Sequence, residues 1–267
     1  MKITIAGCGN MGLIYARAFL KYNIVSRNEL LLAEKNDARK IQLKKLDIGE
    51  VTVVNDSEIA ESDIIVLAVK PQDFAELCSD LKHVIREKNI IISIMAGVKI
   101  ERISKLLNAK NIVRAMPNSP AELGLGMTAF AASANLNVDL LRKAENLLGT
   151  TGRTVFLEDE RLIDAVTALS GSGPAYFFYL VKNMIEAGVK MGFEESVSSM
   201  LVKQTMLGSF HLLNTAGKPL DELIRTVASK GGTTEAAFEI FEKTEVGENL
   251  QKGIRMARDR ATTLSEK

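Results

Sequence analysis

Short apolar runs alternate with amphipathic stretches along the first 158 residues of the chain. Lys2–Ala6, Leu30–Ala33, Val51–Val54, Ile64–Val69, Ile90–Ile94, Ile112–Ala115, Met127–Ala132 and Thr154–Leu157 read as strands. Several are unbroken runs of Val, Ile and Leu, the pattern of central strands covered on both faces. Helix-period stretches such as Asp37–Lys45 and Val138–Leu148 lie between them. Strand and helix in regular alternation predict an α/β doubly wound, mainly parallel sheet, with room for late antiparallel strands. Beyond residue 160 the strand runs stop. Leu162–Leu169, Ala175–Met191, Glu194–Leu213, Leu220–Ala228, Thr234–Phe241 and Gly247–Leu264 all carry helical periodicity, with Ser172-Gly-Pro174 breaking the first pair. The pattern predicts two domains, 1–158 (α/β) and 159–267 (all-α). Apolar positions on more than one helical face (Met184, Ile185, Val189, Met191, Phe193) predict burial against a second copy, hence a homo-oligomer.

The first strand feeds Gly7-Cys-Gly9-Asn-Met-Gly12, a G-x-G-x-x-G loop that opens an amphipathic helix (Leu13, Ile14, Ala16, Phe19, Leu20). Strand, loop and helix in that order form the dinucleotide-binding crossover of a Rossmann domain. Gly7 makes the tight turn, Gly9 admits a diphosphate to the backbone, and Gly12 lets helix and strand pack closely. The amides at the helix start, with the positive end of its dipole, hold the phosphates without a basic side chain. Glu34 closes the second strand about 20 residues beyond Gly12, where an acid bonds the ribose 2′-hydroxyl of NAD. Lys35, Arg39 and Lys40 follow it and attract a 2′-phosphate instead, so the residues alone leave the choice of dinucleotide open.

Composition narrows the chemistry. Basic and acidic residues are interspersed and the formal net charge is +1, which disfavours a nucleic-acid or anionic-membrane partner. The longest apolar stretch of the second half, Ala175–Val181, is too short to span a bilayer. With a nucleotide-binding strand at residue 2, no leader is expected, and a cytoplasmic location is. Cys8 and Cys78 have neither disulfide nor metal-ligand spacing, and Cys8 reads as a small structural residue of the loop. The chain has 2 histidines. His83 reads as a solvated position on a polar helix and His211 as a packed helical one, which disfavours a histidine base or a metal site.

Two segments of the helical half exceed what packing needs. One is Leu169-Ser-Gly-Ser-Gly-Pro-Ala-Tyr176; the other is Ala228-Ser229-Lys-Gly231-Gly232-Thr233-Thr234-Glu235. Free amides at such a helix start, flanked by the hydroxyls of Ser229, Thr233 and Thr234, suit a carboxylate. A plain helix cap by Thr233 or Thr234 is the simpler alternative. In the first half, Ala68-Val-Lys70-Pro71 and Arg114-Ala-Met-Pro117-Asn118 follow two apolar strands. They stand where the C-terminal strand ends of an open α/β sheet border a ligand crevice.

Taken together, Gly7–Gly12, Ala68–Pro71, Val113–Asn118, Leu169–Tyr176 and Val227–Ala236 make the chain resemble the pyrroline-5-carboxylate reductases nearly end to end. Lys230 departs from the Pro that many relatives carry. The resemblance implies reduction of L-1-pyrroline-5-carboxylate to L-proline, the last step of proline biosynthesis, by NADPH with NADH as the alternative. It implies a helical substrate-binding and dimerisation domain, with dimers often built into decamers. Carried over by position, Gly7, Gly9, Asn10 and Met11 face the cofactor's diphosphate and Asn55 its adenosine ribose; Ala6, Gly12, Glu34 and Lys35 are the further cofactor contacts that the loop and strand end themselves suggest. Ala68, Val69, Lys70 and Pro71 wall the nicotinamide, and Thr226 is a further cofactor contact. Glu160, Ser229, Gly231, Gly232, Thr233 and Thr234 contact substrate, with Thr234 and Ser229 as the catalytic pair; no metal is implied. A cyclic iminium is already electrophilic, so positioning matters more than a strong acid. Thr234 is expected to hydrogen-bond the ring nitrogen and Glu160 to favour its positive charge. A β-hydroxyacid dehydrogenase would need a catalytic Lys early on the helix after Pro174, whereas Lys182 comes two turns late. A dinucleotide sensor would have no use for the 229–234 cluster.

Overall fold

A computed structural model describes residues 1–265. Eight strands form one sheet in the order β3-β2-β1-β4-β5-β6-β7-β8. They are β1 (Ile3–Ala6), β2 (Leu30–Ala33), β3 (Glu50–Thr52), β4 (Ile64–Leu67), β5 (Ile90–Ser93), β6 (Ile112–Met116), β7 (Gly126–Ala132) and β8 (Gly152–Phe156). All neighbours are parallel except β6 and β7, so the antiparallel element does come late. The unbroken apolar runs are buried along their whole length, as in Ile64–Leu67 and Leu30–Ala33. The reason is that both faces are covered. Ile3 and Ile5 pack with Tyr15 and Phe19 of helix α1 (Asn10–Lys21) and with Leu147 and Leu148 of α5 (Val138–Leu148). Leu31, Ile65 and Ile91 face α3 (Phe74–Leu81) and α4 (Ile100–Leu107) through Phe74, Leu77, Ile103 and Leu107. Each such side chain is worth about 1.5–3 kcal/mol when buried.

The remaining helices are α2 (Asp37–Leu46), α6 (Leu162–Val166), α7 (Gly173–Lys190), α8 (Glu195–Thr215), α9 (Leu220–Val227), α10 (Thr233–Lys243) and α11 (Val246–Ser265). Two compact units result. Met1–Ser172 form one, together with residues 257–265 of α11; Gly173–Met256 form the other. Within the second unit α7 and α8 approach closely at Gly188, where a Cβ would lie 2.1 Å from the Ser198 hydroxyl. That hydroxyl donates to the Ile185 carbonyl at 2.8 Å.

Several expectations need correction. One concerns what precedes Ser172-Gly-Pro174, which does separate two helices, with Pro174 in the first turn of α7. Thr167–Gly171 form a π-helical turn, with the Ser172 amide bonded to the Thr167 carbonyl at 2.9 Å, and α7 follows at Gly173. Small residues tolerate the widened turn, and such turns gather at functional sites. His83 lies beyond the end of α3, in an exposed turn rather than on a helix. His211 is exposed on α8 rather than packed. His83 lines neither crevice described below.

Candidate active site

The glycine loop is shaped by close approach. Gly7 has φ +97°, and a Cβ there would stand 2.7 Å from the Val69 amide nitrogen. At Gly12 a Cβ would meet the Gly7 carbonyl at 2.4 Å, which fixes how tightly α1 rests on β1. Gly9 is different: nothing lies within 4 Å of its Cβ position, so that side of the loop is open. Gly9 caps α1 without a side-chain bond, and the first helical bond runs from Leu13 to the Gly9 carbonyl. The amides of Asn10, Met11 and Gly12 therefore have no acceptor among the described residues. Three free amides beside an open glycine fit a diphosphate.

The strand order reverses between β1 and β4, and the crevice opens there. Strand β4 ends at Leu67, two residues earlier than the apolar run suggests. That frees Ala68, Val69 and Lys70 to line a cavity of about 190 Å³ together with Gly7, Gly9 and Glu34. Lys35 lines the same cavity. Pro71 follows as the first residue of a short 3₁₀ turn and is not among the lining residues, and Asn55 lies in an exposed turn after β3. Ala6 is fully buried beneath the loop. On the other side of α1, Asn10 and Met11 share a groove of about 720 Å³ with Pro117 and Asn118. Asn118 holds that groove's far wall: its amide group donates to the Ser170 carbonyl and hydroxyl at 3.3 and 3.2 Å, and its oxygen accepts from Met127 at 2.9 Å. Two motifs far apart in sequence, Val113–Asn118 and the π turn, meet through this side chain and that of Met116.

Glu160 sits elsewhere. Its Oε1 accepts from the Arg114 guanidinium at 3.2 Å and from the Ile100 amide at 2.8 Å, and it lines neither crevice. Arg114, only 1% exposed, also bonds Asp164 at 2.5 Å. Glu160 and Arg114 thus answer each other's charge inside the first unit. Sequence reading missed this: Arg114 sits in an apolar strand run and gives no sign of its partner 50 residues on.

In the second unit the loop before α10 turns through Gly231 at φ +71°, and the Gly232 amide bonds the Ser229 carbonyl at 3.0 Å. No hydroxyl caps the helix; Gly232 is the cap, and Thr233 and Thr234 lie inside the first turn. Plain threonine capping is therefore not what this cluster does. The amides of Thr233 and Thr234 have no acceptor among the described residues. The Gly231 amide does have one, the Glu235 carboxylate at 2.6 Å, and so is not free for a ligand. Ser229 is exposed, and a Cβ at Gly232 would lie 2.6 Å from its hydroxyl. Thr226 lies in α9 with its hydroxyl bonded to the Leu223 carbonyl at 2.6 Å. Among the described residues no helix is long and apolar enough to cross a membrane.

A glycine loop at the switch point of a doubly wound sheet, joined to a helical second unit, defines a dinucleotide-dependent oxidoreductase. Residues 160–264 match the family described as pyrroline-5-carboxylate reductase dimerisation, and residues 2–97 that described as NADP oxidoreductase, coenzyme F420-dependent. The pyrroline-5-carboxylate reductase of Haemophilus influenzae is 35% identical, covering 98% of this chain and 97% of its own. That of Pseudomonas aeruginosa is 36% identical, over 99% and 97%. The chain belongs to the pyrroline-5-carboxylate reductase family. The crystal structure of Plasmodium falciparum pyrroline carboxylate reductase with NADP bound superposes with a TM-score of 0.88, at 26% identity, over 99% of this chain and 98% of that one.

Proposed function

We propose that this chain reduces L-1-pyrroline-5-carboxylate to L-proline with NADPH, NADH being the alternative, as the last step of L-proline biosynthesis. The reading is carried by one observation: two sets of main-chain amides, Asn10–Gly12 and Thr233–Thr234, have no acceptor among the described residues, in a family-length match. When bound, NADPH supplies a hydride from nicotinamide C4 to the imine carbon. The first turn of α1 holds the diphosphate, and Ala68–Pro71 orient the nicotinamide. The glutamate at 34 and Lys35 lie toward the adenosine ribose, with Asn55 at the crevice rim.

Within the stretch 159–267, the compact unit 173–256 serves as the core of the substrate-binding and dimerisation domain. There the Thr233 and Thr234 amides take the substrate carboxylate, with Gly231 and Gly232 giving the turn its shape. The Thr234 hydroxyl bonds the ring nitrogen of the protonated imine, so that hydride addition to the adjacent carbon leaves a ring amine that takes a further proton from solvent; Ser229 supports that bond. Glu160 acts through Arg114 more than on substrate, because its charge is already answered. Exposed apolar side chains on α7 and α8, such as Phe178 (63%) and Phe210 (60%), suit a homodimer, with a decamer as the larger assembly. The location that fits is the cytoplasm. The test is loss of NADPH absorbance on adding pyrroline-5-carboxylate to the purified protein. Turnover with this imine supports the assignment; NADPH binding without turnover overturns it.

A further inference from the structure

Three basic side chains follow β2, and two of them are already paired. Lys35 lies 2.5 Å from the Glu76 carboxylate and Lys40 lies 2.7 Å from that of Asp37. Arg39 is not paired in this way. Its Nε and Nη2 donate to the main-chain carbonyl of Cys8 at 3.2 and 2.9 Å, and its Nη1 to the Gln42 side-chain oxygen at 2.8 Å. Among the described residues no carboxylate lies within 4.0 Å of it. A full positive charge is thus held against the glycine loop by neutral oxygens alone.

Glu34 is turned the other way. Its Oε1 accepts from the Asn36 amide at 3.0 Å and its Oε2 from the Cys8 amide at 3.4 Å. Cys8 is gripped on both of its main-chain polar groups, the N–H by Glu34 and the carbonyl by Arg39.

We infer that Arg39 is the residue that reads the 2′-phosphate of NADPH; the inference rests on the NADPH reading above. A guanidinium fork offers a phosphate paired, charge-assisted bonds, stronger than those it makes to a neutral carbonyl. Lys35 and Lys40 would each have to leave a carboxylate to do the same. Glu34 sharpens the role. Without Arg39 a 2′-phosphate at this strand end meets an acid whose two following lysines already face carboxylates, and the balance tips toward NADH.

The test measures binding of 2′,5′-ADP and of 5′-AMP, which differ only in the 2′-phosphate, by calorimetry on the full chain. Arg39→Ala is expected to weaken 2′,5′-ADP by about tenfold or more while 5′-AMP changes less than about twofold, with Arg39→Lys between. Lys40→Ala, which also removes one charge, changes the ratio of the two by less than about twofold. Equal weakening of both fragments by Arg39→Ala overturns the inference, since Arg39 would then only brace Cys8. A larger loss of the ratio in Lys35→Ala overturns it as well. The underlying reading fails separately: a wild-type chain that binds 2′,5′-ADP no tighter than 5′-AMP, yet reduces the imine with NADH, removes NADPH as its cofactor. Kinetics with both dinucleotides give the second readout, in which kcat/KM for Arg39→Ala moves from NADPH toward NADH.

Discussion

Arg114 and Asp164 form a 2.5 Å ion pair with both side chains out of solvent, at 1% and 7% exposure. The pair ties β6 to α6, and Thr262 of α11 reaches the same carboxylate at 3.4 Å. Its second partner, Glu160, holds the start of α4 through the Ile100 amide. One buried cation therefore gathers four elements of the first unit. Breaking a buried pair by removing one partner costs about 3–5 kcal/mol, because the other charge stays behind. Asp164→Ala is expected to destabilise toward the lower end of that range, since Glu160 remains. Asp159→Ala, which removes the exposed partner of Arg161, is the control and should leave the urea midpoint nearly unchanged. Equal midpoints for the two variants would show the buried pair to be dispensable.

Gly9 and Gly12 should separate binding from stability. Gly12→Ala drives a Cβ to 2.4 Å from a carbonyl oxygen, and overpacking of this kind costs about 1–3 kcal/mol. Gly9→Ala meets no protein atom and keeps an ordinary φ of −73°, so the fold tolerates it. The added methyl points to where a diphosphate must approach. Thermal unfolding should fall for Gly12→Ala alone, whereas NADPH affinity measured by fluorescence should fall for both. An unaltered affinity in Gly9→Ala would place the diphosphate away from this loop.

How much of this could be read in advance depends on the range of the interaction. The runs Leu30–Ala33 and Val138–Leu148 were legible to the residue because local pattern sets them. The glycine loop was legible because its backbone geometry needs those glycines in that order. Ile64–Val69 was read two residues too long: Ala68 and Val69 are apolar, yet they belong to the crevice wall and not to the strand. Period cannot distinguish an apolar residue that faces a ligand from one that faces a core. The Arg114–Asp164 pair and the Asn118–Ser170 bridge were invisible, being made by chain segments 50 and 52 residues apart. Glu235 taking the Gly231 amide was equally hidden, because a Glu near a helix start reads as a dipole partner and nothing more.

Thr234 carries the chemistry of the second unit if the proposed function holds. Thr234→Ala keeps the helix start, since Gly232 is the cap, and removes only the hydroxyl. A hydrogen bond to a charged group contributes about 1.5–3 kcal/mol, so kcat should fall about tenfold or more. NADPH affinity should hold, and Thr234→Ser should restore much of the rate. An unchanged kcat in steady-state assays would take Thr234 out of the reaction.

Glu235 competes for the anion site. Its carboxylate lies 2.6 Å from the Gly231 amide, beside the two amides proposed for substrate. An incoming carboxylate meets that negative charge, so Glu235→Gln is expected to tighten proline binding by about two- to fivefold. The gain should shrink as salt is raised, because the site is exposed. Weaker binding in calorimetric titration would mean that Glu235 shapes the loop more than it repels the ligand.

The two thiols give a pH dependence with a definite sign. Burial, and for Cys8 the nearby Glu34 charge, pushes both up to about 12 from an ordinary 9.0, with Arg39 and Arg102 pulling weakly the other way. The folded chain therefore keeps these protons over a range in which the unfolded chain releases them. Stability from this source is complete below about pH 9 and falls between 9 and 12, by at most about 1.4 kcal/mol per pH unit for Cys8 and by less for Cys78. Cys8→Ala and Cys78→Ala should lower the urea midpoint somewhat at neutral pH through lost packing, and should flatten its decline between neutral and about pH 10. The readout is that difference in slope, which lysine and tyrosine titration common to all three proteins cannot produce. Parallel curves would mean that the thiols reach solvent before the fold opens.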